Sequence, residues 1–99
     1  MPDEPDFGFA PPPFDPDAAL IQLRRALREL QLTERGAGAE LRGKRVVEWV
    51  VQGDEITLRI ARRLALTPEW DKATLKSAAD QRKWLDEIKK RLARWRDDD

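Results

Sequence analysis

Apolar and polar positions change their spacing several times along this chain, and each change marks an element. Leu20, Leu23, Leu27 and Leu30 recur at intervals of three and four residues, which predicts a helix with one apolar face. Arg24, Arg25 and Arg28 fall mostly off that stripe. Asp15-Pro16 gives the start signal: an Asp cap, then a proline at the first helical position, where its missing N–H costs nothing. The helix should end near Leu32, before the breakers in "TERGAGAE".

Residues 37–64 read as strands. "KRVVEWVVQGDEITLRIAR" predicts a hairpin with a two-residue loop, Gly53-Asp54, and glycine in first place suits a type II′ turn. That loop pairs Val51 with Ile56, Trp49 with Leu58 and Val47 with Ile60, so six apolar side chains share one face. The other face receives Val50 opposite Thr57 and Glu48 opposite Arg59, an opposite-charge pair. A one-residue slip would destroy both sets. A third strand should precede the hairpin and end at "AELRGK". A two-residue Gly43-Lys44 loop would put Glu40 opposite Val47. A three-residue loop from Gly43 to Arg45 pairs Leu41 with Val47 and Ala39 with Trp49, keeps the core face apolar and is preferred, although it sets Glu40 opposite Glu48.

"LTPEWD" breaks the alternation, and Thr67-Pro68 is expected to cap a short turn carrying Trp70. A last helix follows, capped at Thr74 or at Ser77, where "SAAD" fits a variant capping box with Asp80 in the reciprocal position. Leu75, Ala78, Leu85, Ile88, Leu92 and Trp95 form its stripe, with Arg82 the interruption. Arg82–Asp86, Lys83–Glu87, Asp86–Lys90 and Glu87–Arg91 are opposite charges four residues apart on its back. Trp95 is thus expected to plug the core, while Trp84 flanks the stripe. The predicted architecture is a two-layer α+β fold in the order α-β-β-β-α, a three-stranded antiparallel sheet with two helices packed on one face. An acidic, Pro/Phe-rich, flexible tail covers 1–14, a single domain 15–96 and an acidic tail 97–99.

That order resembles the order in double-stranded-RNA-binding domains, which place lysines at the start of the second helix and a histidine-bearing loop between the first two strands. Here Lys72 and Lys76 stand in "DKATLKSAAD", and the strand loop "RGKR" has no histidine. The order also resembles a family of small bacterial nucleoid-associated proteins that dimerise and bind DNA. Both resemblances rest on element order alone and would imply a nucleic-acid partner.

Charge sharpens that possibility without deciding it. The 99-residue chain has a net charge of +0, but residues 1–17 carry five acids and no base, and 97–99 carry three acids. Residues 18–96 therefore hold nineteen bases against eleven acids, a net of +8. The plain reading is a pair of solubilising tails; the sharper one is a tail competing with an anionic partner. Thirteen arginines against six lysines, with no asparagine, fit a GC-rich bacterial source. No apolar run is long enough to span a bilayer, and the acidic N-terminus is neither a secretory signal nor a transit peptide, so a cytoplasmic location is expected.

The chemistry is limited by missing residue types. Histidine, cysteine and tyrosine are absent, which removes the usual metal sites and Ser-His or Cys-His catalysis. Ser77 is the only serine and a cap explains it, and the glycines of "RGAGAE" lack phosphate-loop spacing. No catalytic, metal or cofactor residue is nominated. The expected role is a non-enzymatic protein-interaction or self-association module, with Phe7, Phe9 and Phe14 of the tail as partner-binding residues. Three phenylalanines in "FGFAPPPF" are too apolar for an ordinary solvated tail. Two docking places are open: a groove on another protein, or an apolar strip of Val46 and Val50 beside Thr57 and Ala61 on the outer sheet face. The alternative is nucleic-acid binding through Arg42, Lys44, Arg45, Arg62, Arg63, Lys89, Lys90, Arg94 and Arg96.

Overall fold

The computed structural model describes residues 14–97. Helix α1 spans Pro16–Glu29, five strands follow as β1 (Thr33–Glu34), β2 (Gly38–Leu41), β3 (Lys44–Gln52), β4 (Glu55–Ala61) and β5 (Trp70–Leu75), and α2 spans Ala78–Asp97. The strands form one antiparallel meander in the order β1-β2-β3-β4-β5. The fold is thus α+β, but its sheet has five strands where the sequence predicts three.

The β3–β4 hairpin has the expected register at every position. Val51 faces Ile56, Trp49 faces Leu58, Val47 faces Ile60, Val50 faces Thr57 and Glu48 faces Arg59. Gly53 has φ +60, and Asp54 is absent from the residues of positive φ, which makes the turn type II′ as expected. Side-chain alternation extends the apolar rows onto β5, where Leu75 meets Ile56 and Ala73 meets Leu58. Both helices cover this face. Leu23 and Leu27 of α1 and Ile88, Leu92 and Trp95 of α2 are buried in one core with Trp49, Ile56, Leu58 and Ile60. Across the sheet, Val50, Arg59 and Lys72 are exposed.

The departures have local causes. The β2–β3 loop is Arg42-Gly43, one residue earlier than either loop considered, with φ +54 and +79, the signature of type I′. An irregularity then lets Ala39 face Val47 and Gly38 face Glu48, while Glu40 pairs with Arg45 rather than facing Glu48. One extra residue on β3 does what the longer loop was expected to do: it keeps alanine and valine on a common face. Gly38 is required there, since a Cβ would lie 2.6 Å from the Val47 carbonyl oxygen and against the Arg45 guanidinium.

β1 lies inside "TERGAGAE", which reads as breakers because two residues carry no periodicity. Its place is set by α1: Arg24 donates from Nε to Glu34 at 2.9 Å. Trp70 begins a strand rather than sitting in a capped turn, and Thr74 lies in β5, so it caps nothing. Lys72 is on β5 across from Arg59, and Lys76 lies between β5 and α2, so the three-strand order behind the family resemblances is not the order of this chain. α2 starts at the other cap considered: the Asp80 N–H donates to Ser77 Oγ at 3.1 Å, and Asp80 Oδ2 accepts from the Lys76 N–H at 3.0 Å. The outer strip is largely closed, because Val46 and Ala61 are fully buried and only Val50 is open. Trp70 lies cross-strand from Ala61, and Leu64 in the following connection is buried.

α1 ends on a Schellman turn. The Leu32 N–H donates to Leu27 O at 3.1 Å and the Gln31 N–H to Arg28 O at 2.9 Å. Gln31 holds the position that favours glycine, with φ +68. Gln31→Gly should therefore raise stability by up to about 1 kcal/mol, read as a higher urea midpoint at unchanged slope. Trp49→Ala should cost about 3–5 kcal/mol by leaving a cavity between sheet and helices. A Trp49→Ala protein that melts cooperatively near the parental temperature would contradict the core assignment.

Candidate functional site

The two helices run parallel. Arg96 Nη2 reaches Leu30 O at 3.3 Å, which joins their C-terminal ends, and their starts face each other across a groove. The groove exists because α2 is rooted unevenly. Its second half buries Ile88, Leu92 and Trp95, whereas in its first half Leu85 is half-buried and Ala78 exposed. Small side chains at Ala18, Ala19 and Ala78 leave the space between the starts unfilled, and its volume is ≈ 630 Å³, within the range of ligand pockets.

Phe14 and Leu85 add apolar walls, and Gln22, Arg82 and Lys89 bring polar and basic groups. Gln81 also lines the groove; it is 7% exposed, and its Oε1 is buried with no hydrogen-bond partner. A buried amide oxygen without a donor is costly, and this one is closed off beneath the groove wall. Both helix starts present the positive ends of their dipoles at this end, which favours negative charge. Asp15 is already committed, accepting at Oδ1 from Asp17 N at 3.1 Å and Ala18 N at 3.3 Å. Lys76 pairs with Glu55 at 3.6 Å. Arg82 and Lys89 have no ion pair among the described residues and are the bases left for an acidic ligand, with Asp86 between them on the same lining.

Of the tail residues nominated from sequence, Phe7 and Phe9 lie outside the described residues. Phe14 is half-buried, packs against the core and lines the groove. The nominated bases divide. Arg42, Lys44, Arg45, Arg62, Arg63, Arg94 and Arg96 gather at the opposite end, where the β2–β3 turn, the β4–β5 connection and both helix C-termini meet. Several already serve the fold. Arg42 Nη1 donates to Arg96 O at 3.2 Å, Arg45 Nη1 to Arg35 O at 2.8 Å, and Arg62 Nε to Asp71 Oδ1 at 2.8 Å. Lys89 stands apart at the groove. Lys90 borders a second hollow whose lining residues, Trp84 among them, all lie on α2, so it is the relief of one helix surface. There Lys83 Nζ sits 5.7 Å from the Trp84 ring centroid.

Sequence reasoning missed Gln81. Taking 81, 85, 88, 92 and 95 as the stripe gives spacings of four and three without interruption, with a glutamine at its head. The stripe built on Ala78 needed Arg82 as an exception instead.

The best-connected charged group serves the scaffold. Arg91, 11% exposed, donates from Nε to Glu87 Oε2 at 2.8 Å and from Nη1 to the Ile60 and Ala61 carbonyls at 3.4 and 3.3 Å, and its Nη2 lies 2.8 Å from Asp71 Oδ2. It fastens α2 to the end of β4. The Asp71 carboxyl is held below its usual range by the Arg62 hydrogen bond first and Arg91 second, and Glu87 by Arg91. Asp71 is thus a paired structural carboxylate, with no nucleophile beside it.

No family model matches the chain, and no curated protein or solved structure matches it. Among the described residues no helix is long and apolar enough to cross a membrane.

Because the Asp71 and Glu87 carboxyls are depressed in the folded state, their contribution is present above the unfolded carboxyl values near about pH 4 and is lost as pH falls through the folded values. Arg91→Met should cost about 2 kcal/mol at neutral pH and flatten the loss of stability below about pH 4. Urea titrations across pH check both; an unchanged acid limb would contradict the pairing.

Proposed function

We propose that the chain is a small, non-enzymatic interaction module whose groove between the helix starts takes an extended peptide carrying apolar side chains and net negative charge. The observation that carries the reading is the partly apolar groove itself, walled by Phe14, Ala18, Ala19 and Leu85, with Arg82 and Lys89 flanking Asp86 on its rim. Aromatic side chains suit the Ala18, Ala19 and Leu85 walls, and acids suit Arg82, Lys89 and the helix dipoles. Against catalysis stand the missing His, Cys and Tyr and the use of Ser77 as a cap.

A second reading, nucleic-acid binding at the basic end, draws on the convergence of Arg42, Lys44, Arg94 and Arg96 there. Arg94 and Arg96 sit in the last turn of α2, Arg42 reaches the Arg96 carbonyl and Arg96 the Leu30 carbonyl, where cations complement the helix dipoles, so the fold itself accounts for much of that cluster.

The two readings separate in one titration series followed by amide and methyl NMR. The protein is the full chain carrying Phe7→Ser and Phe9→Ser, which keeps the tail's own aromatics out of the measurement. A short peptide of Asp, Glu, Phe and Pro should shift Ala18, Gln22, Gln81 and Leu85 saturably, and Arg82→Glu with Lys89→Glu should abolish the shifts. Mixed-sequence duplex DNA and RNA at about 20 mM salt should leave the chain unmoved. Peptide that moves nothing in the groove overturns the first reading, and salt-sensitive duplex shifts at Arg42 and Arg94 establish the second.

A further inference from the structure

We infer that the groove is closed in cis by the chain's own residues 3–13, so that a partner must displace the tail to bind. This rests on the peptide-groove reading above and names its resident occupant. Three observations meet in it.

The first is attachment. Phe14 lines the groove, so the thirteen residues before it leave from its wall. The second is reach. From Phe14 back to Phe9 an extended chain spans about 17 Å. The α2 wall from Ser77 to Lys89 is about 18 Å long at the helical rise. Phe9 can therefore reach almost anywhere along the floor.

The third is complementary charge. Asp3, Glu4 and Asp6 stand in the tail, and Arg82 and Lys89 stand at the groove without ion pairs among the described residues; with Lys76 they outnumber the acids of the lining, Asp15 and Asp86. Pro11, Pro12 and Pro13 also stiffen the approach, so docking orders few bonds. The outer sheet face, the other self-docking place that the sequence suggests, offers only Val50, since Val46 and Ala61 are buried.

A tether this short gives an effective concentration in the millimolar range, so the tail need bind only weakly to hold the groove most of the time. A competing peptide would then meet a roughly tenfold lower affinity if the tail binds at about 0.1 mM in trans.

The test compares the full wild-type chain with the Phe7→Ser, Phe9→Ser chain. In the wild type, nuclear Overhauser contacts should join the Phe9 ring to Ala18 and Leu85 methyls, and the Gln81 side-chain amide should shift between the two proteins. The acidic Phe-containing peptide should bind the wild type about tenfold more weakly than the double variant. Identical groove resonances in the two proteins, with no such contacts, overturn the cis contact. So do contacts that fade on dilution, which would put a second copy's tail in the groove. If either occurs while the peptide still binds the double variant at Gln81, the groove reading stands and only self-closure falls. If the peptide binds neither protein, both fall.

Discussion

The register of the β3–β4 hairpin is the constraint from which the rest follows. Because side chains alternate, fixing Trp49 opposite Leu58 also fixes Val47, Val51, Ile56 and Ile60 on one face. β5 can then add only with Ala73 and Leu75 on that face, and an apolar surface this broad has to be covered by amphipathic helices. The irregularity in the β2–β3 ladder obeys the same demand, since the short type I′ turn would otherwise take Ala39 out of register with Val47.

Coverage is uneven, and the candidate site is the result. At the end where the helices finish, Trp95 and Leu92 fill the core, Arg91 ties α2 to the β4 carbonyls, and Arg96 ties it to α1. At the end where they start, alanines face one another across α1 and α2, with a glutamine where a leucine would close the stripe. Two parallel helices also sum their dipoles, positive at the groove and negative at the arginine-rich end. The segregation of charge along the sequence thereby acquires a place: the acidic tail is attached at the positive end, and seven of the fifteen bases between residues 42 and 96 gather at the negative one.

Legibility in the sequence followed the range of the physics involved. The hairpin, the Asp15-Pro16 start and the Ser77–Asp80 cap are set by neighbours in sequence, and the residues alone were enough. β5 was not legible, because "WDKATL" alternates around charged residues that point to solvent or to Arg62 and Arg91, and Leu75 also fits a helical stripe with Ala78. β1 is two residues held by a long-range pair between Arg24 and Glu34. The groove was illegible for the same reason: its walls are 14–22 and 76–89, brought together only by folding. Phe14 was the exception, singled out by its aromatic company. The nominated bases divide in the fold, Lys89 and Lys90 standing apart from the others, and the hydrogen bonds of Arg42, Arg45 and Arg96 to helix and loop carbonyls could not be seen from composition.

Native-state hydrogen exchange measures the governing role of the hairpin most directly. If the β3–β4 register organises the fold, the slowest amides are those bridging Val47–Val51 and Ile56–Ile60, opening only with global unfolding, while the starts of α1 and α2 open at lower free energy around the groove. Hairpin amides that exchange through a partial opening, with α1 still protected, would contradict that account.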